Sequence, residues 1–494
     1  MTEKTLEEIQ QEGSQKKNEY HKMRDLCDDI VIEVFKNTVG IIYAYTGDNK
    51  LLNVNSDDLK RYMACEYEDK YNMQPKEATI KQIQMHLIGR ARNTPVKETF
   101  IRVGQYKKDW YYDLADGNSV KIRKDRWEIT KTPSIFPTDV RTQVQIHPIQ
   151  VDEPLKHLEK LINILNLSDE RQKNLFIFML ITCFIPKIKH PLVMIEGPMG
   201  SAKSTFAEIM QSIISPSGFG HIGHDKVMDI ALQFSNRYVR SLDNVSEIGN
   251  NFSDMLCKAA TGGEYTKRTA YTNTDETSMV LHKGVTFING IGIAGRADMN
   301  ERSVILRLRD LSDKQKVSRN HLDEMINKMK PVVLGAIFTV LSNVRAISDK
   351  MVIEDKYRMS DFTAYCRLIS MVLWDDIGPF ESAMELNEEN IALSTYDSSY
   401  FAEYIIDQMR MMNNIEGTMS YIYNSLMNDY FNEKNKSMKL PEGFPTHANK
   451  MRTCLIRIEA ELRKNNIIFE QAGYRKFSIK IDESDDEFLE KNVQ

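Results

Sequence analysis

Cysteine is scarce in this chain and widely scattered. The 494 residues include six, at Cys27, Cys65, Cys183, Cys257, Cys366 and Cys454, and none lies near another at metal-ligand or redox spacing. That spacing argues against a cysteine zinc site, and scattered thiols suit a reducing cytoplasm. Long apolar runs are missing too. The longest, Leu175 to Pro186, falls short of the roughly 20 residues a membrane helix needs, so no membrane partner is expected. The opening stretch, Met1 to Lys17, has no apolar core and does not read as a secretory signal. An excess of either charge is absent as well. Lys plus Arg total 65 against 70 for Asp plus Glu, a formal net charge of −5. This excludes a protein that coats nucleic acid with its whole exterior, but not one with a narrow basic channel.

Hydrophobic residues make up 41% and charged residues 27%, a globular composition with room for roughly three domains. Residues 1–148 read as a mixed α+β region. It opens with a helix to about residue 36, whose apolar face is Leu26, Ile30, Val31 and Val34. Short antiparallel strands follow around Phe100 to Val103, Trp110 to Tyr112, Val120 to Ile122 and Trp127 to Ile129. Trp110, Tyr111 and Tyr112 read as the core of a small sheet before they read as a base-stacking surface. Pro133, Pro137, Pro148 and Pro154 mark a linker over 133–154. Helices are expected over 155–185. Four short apolar runs come next, at 192–195, 238–242, 285–288 and 304–306, as in buried strands of a parallel α/β sheet. The reading is helical from 310 to 375, then a second linker over 376–397. Residues 398–481 carry three helices and a two-stranded hairpin, the order of a winged helix. Asp482 to Gln494 is an acidic, solvated tail.

The most informative segment is Gly197-Pro198-Met199-Gly200-Ser201-Ala202-Lys203-Ser204-Thr205, between the first of those strands and a helix. That is the setting of a phosphate-binding loop, in which backbone N–H groups and a helix N-terminus wrap a nucleotide's phosphates. ATP is the expected cofactor, with Gly197, Gly200, Ser201, Ala202, Lys203, Ser204 and Thr205 around it. Lys203 would place a cation on the β- and γ-phosphates, and Ser204 would ligate Mg2+. The pattern asks for Gly where Ala202 stands; if that position is helical, alanine costs little.

Such a site needs a carboxylate at the end of a neighbouring strand to complete the magnesium shell, and Asp243 is placed to supply it. The next residue is Asn244, an amide that cannot take a proton from water. Glu247 is the nearest candidate base, by proximity in sequence. The third strand ends in Asn289, a candidate to orient the attacking water. Arg296 and Arg302 follow, and Arg302, just before the fourth strand, is the preferred candidate to neutralise charge on a neighbouring subunit's ATP.

Between the acidic strand and Asn289 lies Thr261-Gly262-Gly263-Glu264, followed by Lys267 and Arg268. With the motifs in this order the chain resembles the superfamily-three helicases, AAA+ ring ATPases of viruses, phages and plasmids. The Ala-Lys-Ser ending of the loop is similar to that of minichromosome-maintenance helicases. The resemblance is strongest over 190–310. It implies an α/β AAA+ P-loop ATPase core over 155–375, a mixed α+β N-terminal domain over 1–148 and a C-terminal winged-helix domain over 398–481. It also implies a homo-oligomeric ring, read as a hexamer, with a channel hairpin that grips single-stranded DNA through Lys267 and Arg268, and Lys283 as a weaker contact. Lys450 and Arg452, in a basic cluster on the third C-terminal helix, are candidate contacts to duplex DNA. No carboxylate pair near an N-terminal strand marks a fused primase, so a primase or polymerase would be a separate partner. The expected function is ATP-dependent unwinding in the replication of a mobile element. An ATPase switch or defence protein without processive unwinding, or an assembly ATPase acting on protein, are the alternatives.

Overall fold

The computed structural model describes residues 18–138, 142–167, 169–197, 200–218, 220–222, 226–245, 248–268, 276–281, 283–290, 297–309, 318–351, 357–397, 400–433 and much of 444–481. An N-terminal unit contains α1 (Glu19–Ile30), β1 (Val31–Lys36), β2 (Ile42–Thr46), β3 (Leu51–Asn53), α2 (Asp57–Tyr71) and α3 (Glu77–Arg90). The opening helix is shorter than its apolar face implied. It is capped by the Asn18 side chain and stops at Ile30. Val31, Ile32 and Val34 are β-branched and stiff at χ1, and they enter an antiparallel ladder with β2 instead. The unit has its own core, including Met23, Leu26, Val34, Leu52, Met63, Ile83 and Leu87.

The antiparallel meander β4 (Val103–Tyr106), β5 (Asp109–Asp113), β6 (Asn118–Ile122) and β7 (Trp127–Lys131) follows. Its core is continuous with that of the residues after 155. Tyr112 packs between Phe184 and Phe338, at ring-centroid distances of 5.2 and 5.3 Å. Packing therefore divides the chain between about residues 93 and 101, not at 148. Trp110, Tyr111 and Tyr112 are all buried. The proline-rich stretch is a packed strap, not a tether. Buried Gln145 donates to the Tyr112 hydroxyl at 3.1 Å and to the Ile213 carbonyl at 2.9 Å. Ile149 passes so close to a later helix that a Cβ on Gly335 would lie 1.7 Å from the Ile149 carbonyl oxygen.

The central region comprises α4 (Pro154–Ile162), α5 (Glu170–Thr182), β8 (Leu192–Glu196), α6 (Lys203–Ile214), α7 (Val227–Ser235), β9 (Val239–Val245), α8 (Asn250–Thr261), β10 (Gly263–Arg268), β11 (Glu276–Leu281), β12 (Val285–Gly290), α9 (Ala297–Asn300), β13 (Ser303–Arg307), α10 (Arg319–Ala346), α11 (Ser360–Trp374) and α12 (Gly378–Asp397). The four expected runs form a parallel sheet of order β13-β8-β12-β9, and β10 and β11 form a separate hairpin. Parallel strands covered on both faces read as continuous apolar runs, which is why this sheet is legible. α10 is long and apolar enough to cross a membrane by composition, yet Val333, Leu334, Ile337, Phe338 and Leu341 are buried in the core.

α12 stands where a linker was expected. It buries Phe380, Ala383 and Met384, and it closes the free edge of β13 with two buried asparagines. Asn387 accepts from the Ile305 N–H at 2.9 Å and donates to the Ser303 carbonyl at 3.0 Å, and Asn390 donates to the Ile305 carbonyl at 3.3 Å. Polar residues on the inward face hid the helix from hydrophobic patterning, while satisfying a sheet edge that would otherwise lack partners.

The last unit holds α13 (Tyr400–Met412), β14 (Asn414–Gly417), α14 (Met419–Glu433), further helical residues between 448 and 463, and the hairpin β15 (Ile467–Gly473) and β16 (Lys476–Ile481). The sheet order is β14-β16-β15 around a core including Phe401, Ile405, Leu426, Leu455 and Ile479. β14 was not anticipated, because Ile415 is its one apolar residue.

Candidate active site

β8, β9 and β12 all end at the same edge of the sheet, and Asp243 and Asn289, near the ends of β9 and β12, meet Ser204 at the start of α6. β8 passes into Gly197 at φ 155, where a Cβ would lie 2.7 Å from the Ser201 hydroxyl and 2.9 Å from the Leu308 carbonyl oxygen. Gly200, at φ 84, turns the loop. Ala202 is not helical. It caps α6 at φ 65 and ψ 33, in the left-handed region. A Cβ there costs about 1 kcal/mol, so the glycine that the pattern asks for has a conformational reason, and the expectation that alanine costs little is corrected.

Lys203 opens α6 and folds its ammonium back onto the Gly197 carbonyl at 2.7 Å. Partial burial lowers its pKa, and Asp243 opposes that shift. The Ser204 hydroxyl donates to Asp243 Oδ1 at 2.9 Å. Asn289 is buried between the strands; its amide reaches the Ser204 hydroxyl at 3.5 Å, and its Oδ1 accepts from the Asn244 N–H at 2.8 Å. Asn244 itself is left-handed, at φ 54, a conformation asparagine tolerates better than most residues. The geometry thus gives a backbone reason for an amide at this position.

The residues present fit a nucleotide with a divalent ion. Ser201 Oγ is fully buried and, among the described residues, makes no hydrogen bond, which leaves an orphaned polar atom in the loop. Ser204 and Asp243 present a hydroxyl and a carboxylate side by side, the hard oxygen pair that Mg2+ favours. Thr205 follows on the first turn of α6. Pro198, Met199 and Glu247 lie outside the described residues.

The other candidates lie elsewhere. Arg302 precedes β13, and its carbonyl accepts from the Leu192 N–H at the start of β8. It is therefore at least one strand length, about 15 Å, from the loop of its own chain. Its guanidinium pairs with Asp298, whose carboxyl it holds below the usual range. Arg296 lies outside the described residues. Lys267 and Arg268 end β10, opposite Thr277 and Glu276 of β11, and the tip between them falls outside the described residues. Lys283 sits at the root of that hairpin, where its ammonium donates to the Lys187 carbonyl at 2.6 Å. Lys450 is outside the described residues; Arg452 lies over the Phe477 ring of β16 at 5.4 Å.

Sequence reasoning missed a cluster beside Asp243. His221 lies 2.7 Å from the Ser241 hydroxyl, 3.3 Å from Glu208 on α6 and 3.9 Å from Asp243. Glu208 also pairs with Arg319, the first residue of α10. A lone histidine carries no spacing signal; the parallel bridge of Ile222 to Leu242 brings it there.

Residues 158–373 match the model of a family described as the actinomycete integrative conjugative element replication protein. That span takes in the loop, Asp243, Asn289 and Arg302, and the match supports a part in the replication of a mobile element. No curated protein matches the chain. Among solved structures, it is similar to an apo form of the NrS-1 C-terminal region at 10% identity and a TM-score of 0.38, over 94% of this chain and 100% of that one. A second apo structure of the same region gives 13% identity and a TM-score of 0.37, with the same coverage. A JCV helicase bound to a thiazolopyridine compound gives 10% identity and a TM-score of 0.21, over 49% of this chain and 74% of that one.

Proposed function

We propose that the chain is an AAA+ ATPase that unwinds DNA during replication of a mobile element, working as a homo-oligomeric ring. The observation that carries this reading is the meeting of Lys203, Ser204, Asp243 and Asn289 where three parallel strands end on one helix. Lys203 would bind the β- and γ-phosphates of ATP, Ser204 and Asp243 would hold Mg2+, and Asn289 would orient water. The ion, when bound, supplies neutralisation of phosphate charge. Arg302, too far to serve its own loop, would serve a neighbour's. The order of helices, β14 and hairpin in the last unit favours a winged helix that docks duplex DNA, with Arg452 on its third helix.

One observation favours a second reading. The residue after Asp243 is an amide in the left-handed conformation, and an amide cannot take a proton from water. A slowly hydrolysing switch would look the same at this position. Strand displacement on a forked substrate separates the two. The unmodified chain should show DNA-stimulated ATP hydrolysis and displacement, and Lys203→Ala should bring hydrolysis to background. Hydrolysis that survives Lys203→Ala would remove the nucleotide assignment.

A further inference from the structure

The sheet β4–β7 is electrically lopsided. As a meander, it puts the β4–β5 and β6–β7 turns at one end and the β5–β6 turn at the other. The first end carries Lys107 and Lys108 in one turn and Lys124 and Arg126 in the other, all exposed. The opposite end carries Asp113 and Asp116 beside Arg102 and Lys131, and so has no such excess of cations. Carboxylates near the basic end are mostly engaged. Asp109 lies 3.2 Å from Lys121, 3.5 Å from Arg123 and 3.7 Å from Arg345, and Glu128 pairs with Arg123 at 3.2 Å. Asp349 meets Lys124 at 3.6 Å, and Asp125 sits within the second turn. Among the described residues, no carboxylate pairs with Lys107, Lys108 or Arg126.

The two basic turns are also held rigidly to the ATPase core. Arg345, near the end of α10, lies over the Trp110 ring at 5.0 Å and donates to the carbonyls of Lys108 and Ile122, one beside each turn. The Asp125 N–H donates to the Ser342 carbonyl of the same helix at 3.1 Å. Adjacent strands lie about 4.8 Å apart, so turn tips two strands apart are separated by about 10 Å. Phosphates on one DNA strand advance about 3.4 Å each along the axis, so the two tips span roughly three of them.

We propose that this end of the sheet is a contact surface for the DNA phosphate backbone, formed by Lys107, Lys108, Lys124 and Arg126. It lies in the region before residue 148, apart from the β10–β11 hairpin and the C-terminal unit, and it rests on the reading that the protein acts on DNA. Ammonium and guanidinium groups on short turns meet phosphate oxygens without reading bases, so the contact is independent of sequence and strongly salt-dependent.

The test uses the full chain, fluorescently labelled single-stranded and duplex oligonucleotides, and anisotropy over a salt series. The variant Lys107→Ala/Lys108→Ala/Lys124→Ala/Arg126→Ala should flatten the slope of log affinity against log salt by about 3 and weaken binding at least about tenfold at low salt, with no change between oligonucleotide sequences. Its melting temperature should match that of the unmodified chain, since all four side chains are exposed. An unchanged slope and affinity would overturn the surface while leaving the DNA reading in place. Failure of the unmodified chain to bind either oligonucleotide would overturn the DNA reading itself.

Discussion

The two ends of the central parallel sheet differ in kind. At the end where β8, β9 and β12 finish, polar side chains converge within one chain: Lys203 on the loop carbonyl, Ser204 on Asp243, and Asn289 between the strands. At the end where they begin, Arg240 and His190 are buried. Arg240 is fully enclosed, stacked over Phe234 at 4.9 Å, and burial lowers its pKa to about 9. His190 is enclosed beside it. Arg302 and the root of the hairpin lie at this end too. One end is a site assembled by local geometry. On the proposed reading, the other holds groups that act on a nucleotide or DNA only when a second chain or a nucleic acid meets them.

The largest effect that would break this comparison comes from Arg302. Arg302→Ala should leave ATP binding intact and lower turnover about 1,000-fold, the range expected of an arginine acting across an interface. Normal turnover, read in a steady-state ATPase assay beside nucleotide binding, would return Arg302 to a surface ion pair with Asp298.

A smaller effect sharpens the description of the starting end. Burial, with Arg240 and Lys283 nearby, lowers the pKa of His190 to about 3. The native state therefore holds this ring neutral, while the unfolded chain takes up a proton below the ordinary histidine value. Its contribution to stability is present above about pH 6.5 and is lost as pH falls toward 3, amounting to about 2 kcal/mol by pH 5. Melting temperatures of the unmodified chain and His190→Phe should diverge in their pH dependence between 7 and 5. Parallel curves would mean that the ring is solvated.

The smallest effect belongs to the loop end. Ala202→Gly removes a left-handed Cβ and should leave ATP turnover in place while stabilising the fold by about 1 kcal/mol, less the entropy glycine adds to the unfolded chain. A lower melting temperature would show that Ala202 is not left-handed in solution.

The contrast also explains what could be read from the sequence. The loop end was legible because its residues sit at the ends of continuous apolar runs, and strand ends fix where Asp243 and Asn289 must lie. The sheet β4–β7 was legible as strands, but not its attachment to the central region, because contacts such as Tyr112 with Phe338 join residues far apart in the chain. α12 was missed because Asn387 and Asn390 occupy its buried face. His221 was missed because nothing in its neighbours marks a histidine that tertiary packing carries to Asp243. Arg302 was singled out by its place before a strand, and the structure adds that it lies at least one strand length, about 15 Å, from its own loop.

That distance yields the most direct measurement. Lys203→Ala chains and Arg302→Ala chains, each inactive alone, are mixed, and ATP hydrolysis is followed in the mixture. If one chain's loop end is completed by the next chain's opposite end, some interfaces pair an intact Lys203 with an intact Arg302, and the mixture should hydrolyse ATP well above the sum of its parts. Hydrolysis no greater than that sum, under conditions where the chains demonstrably co-assemble, would contradict a site shared between subunits.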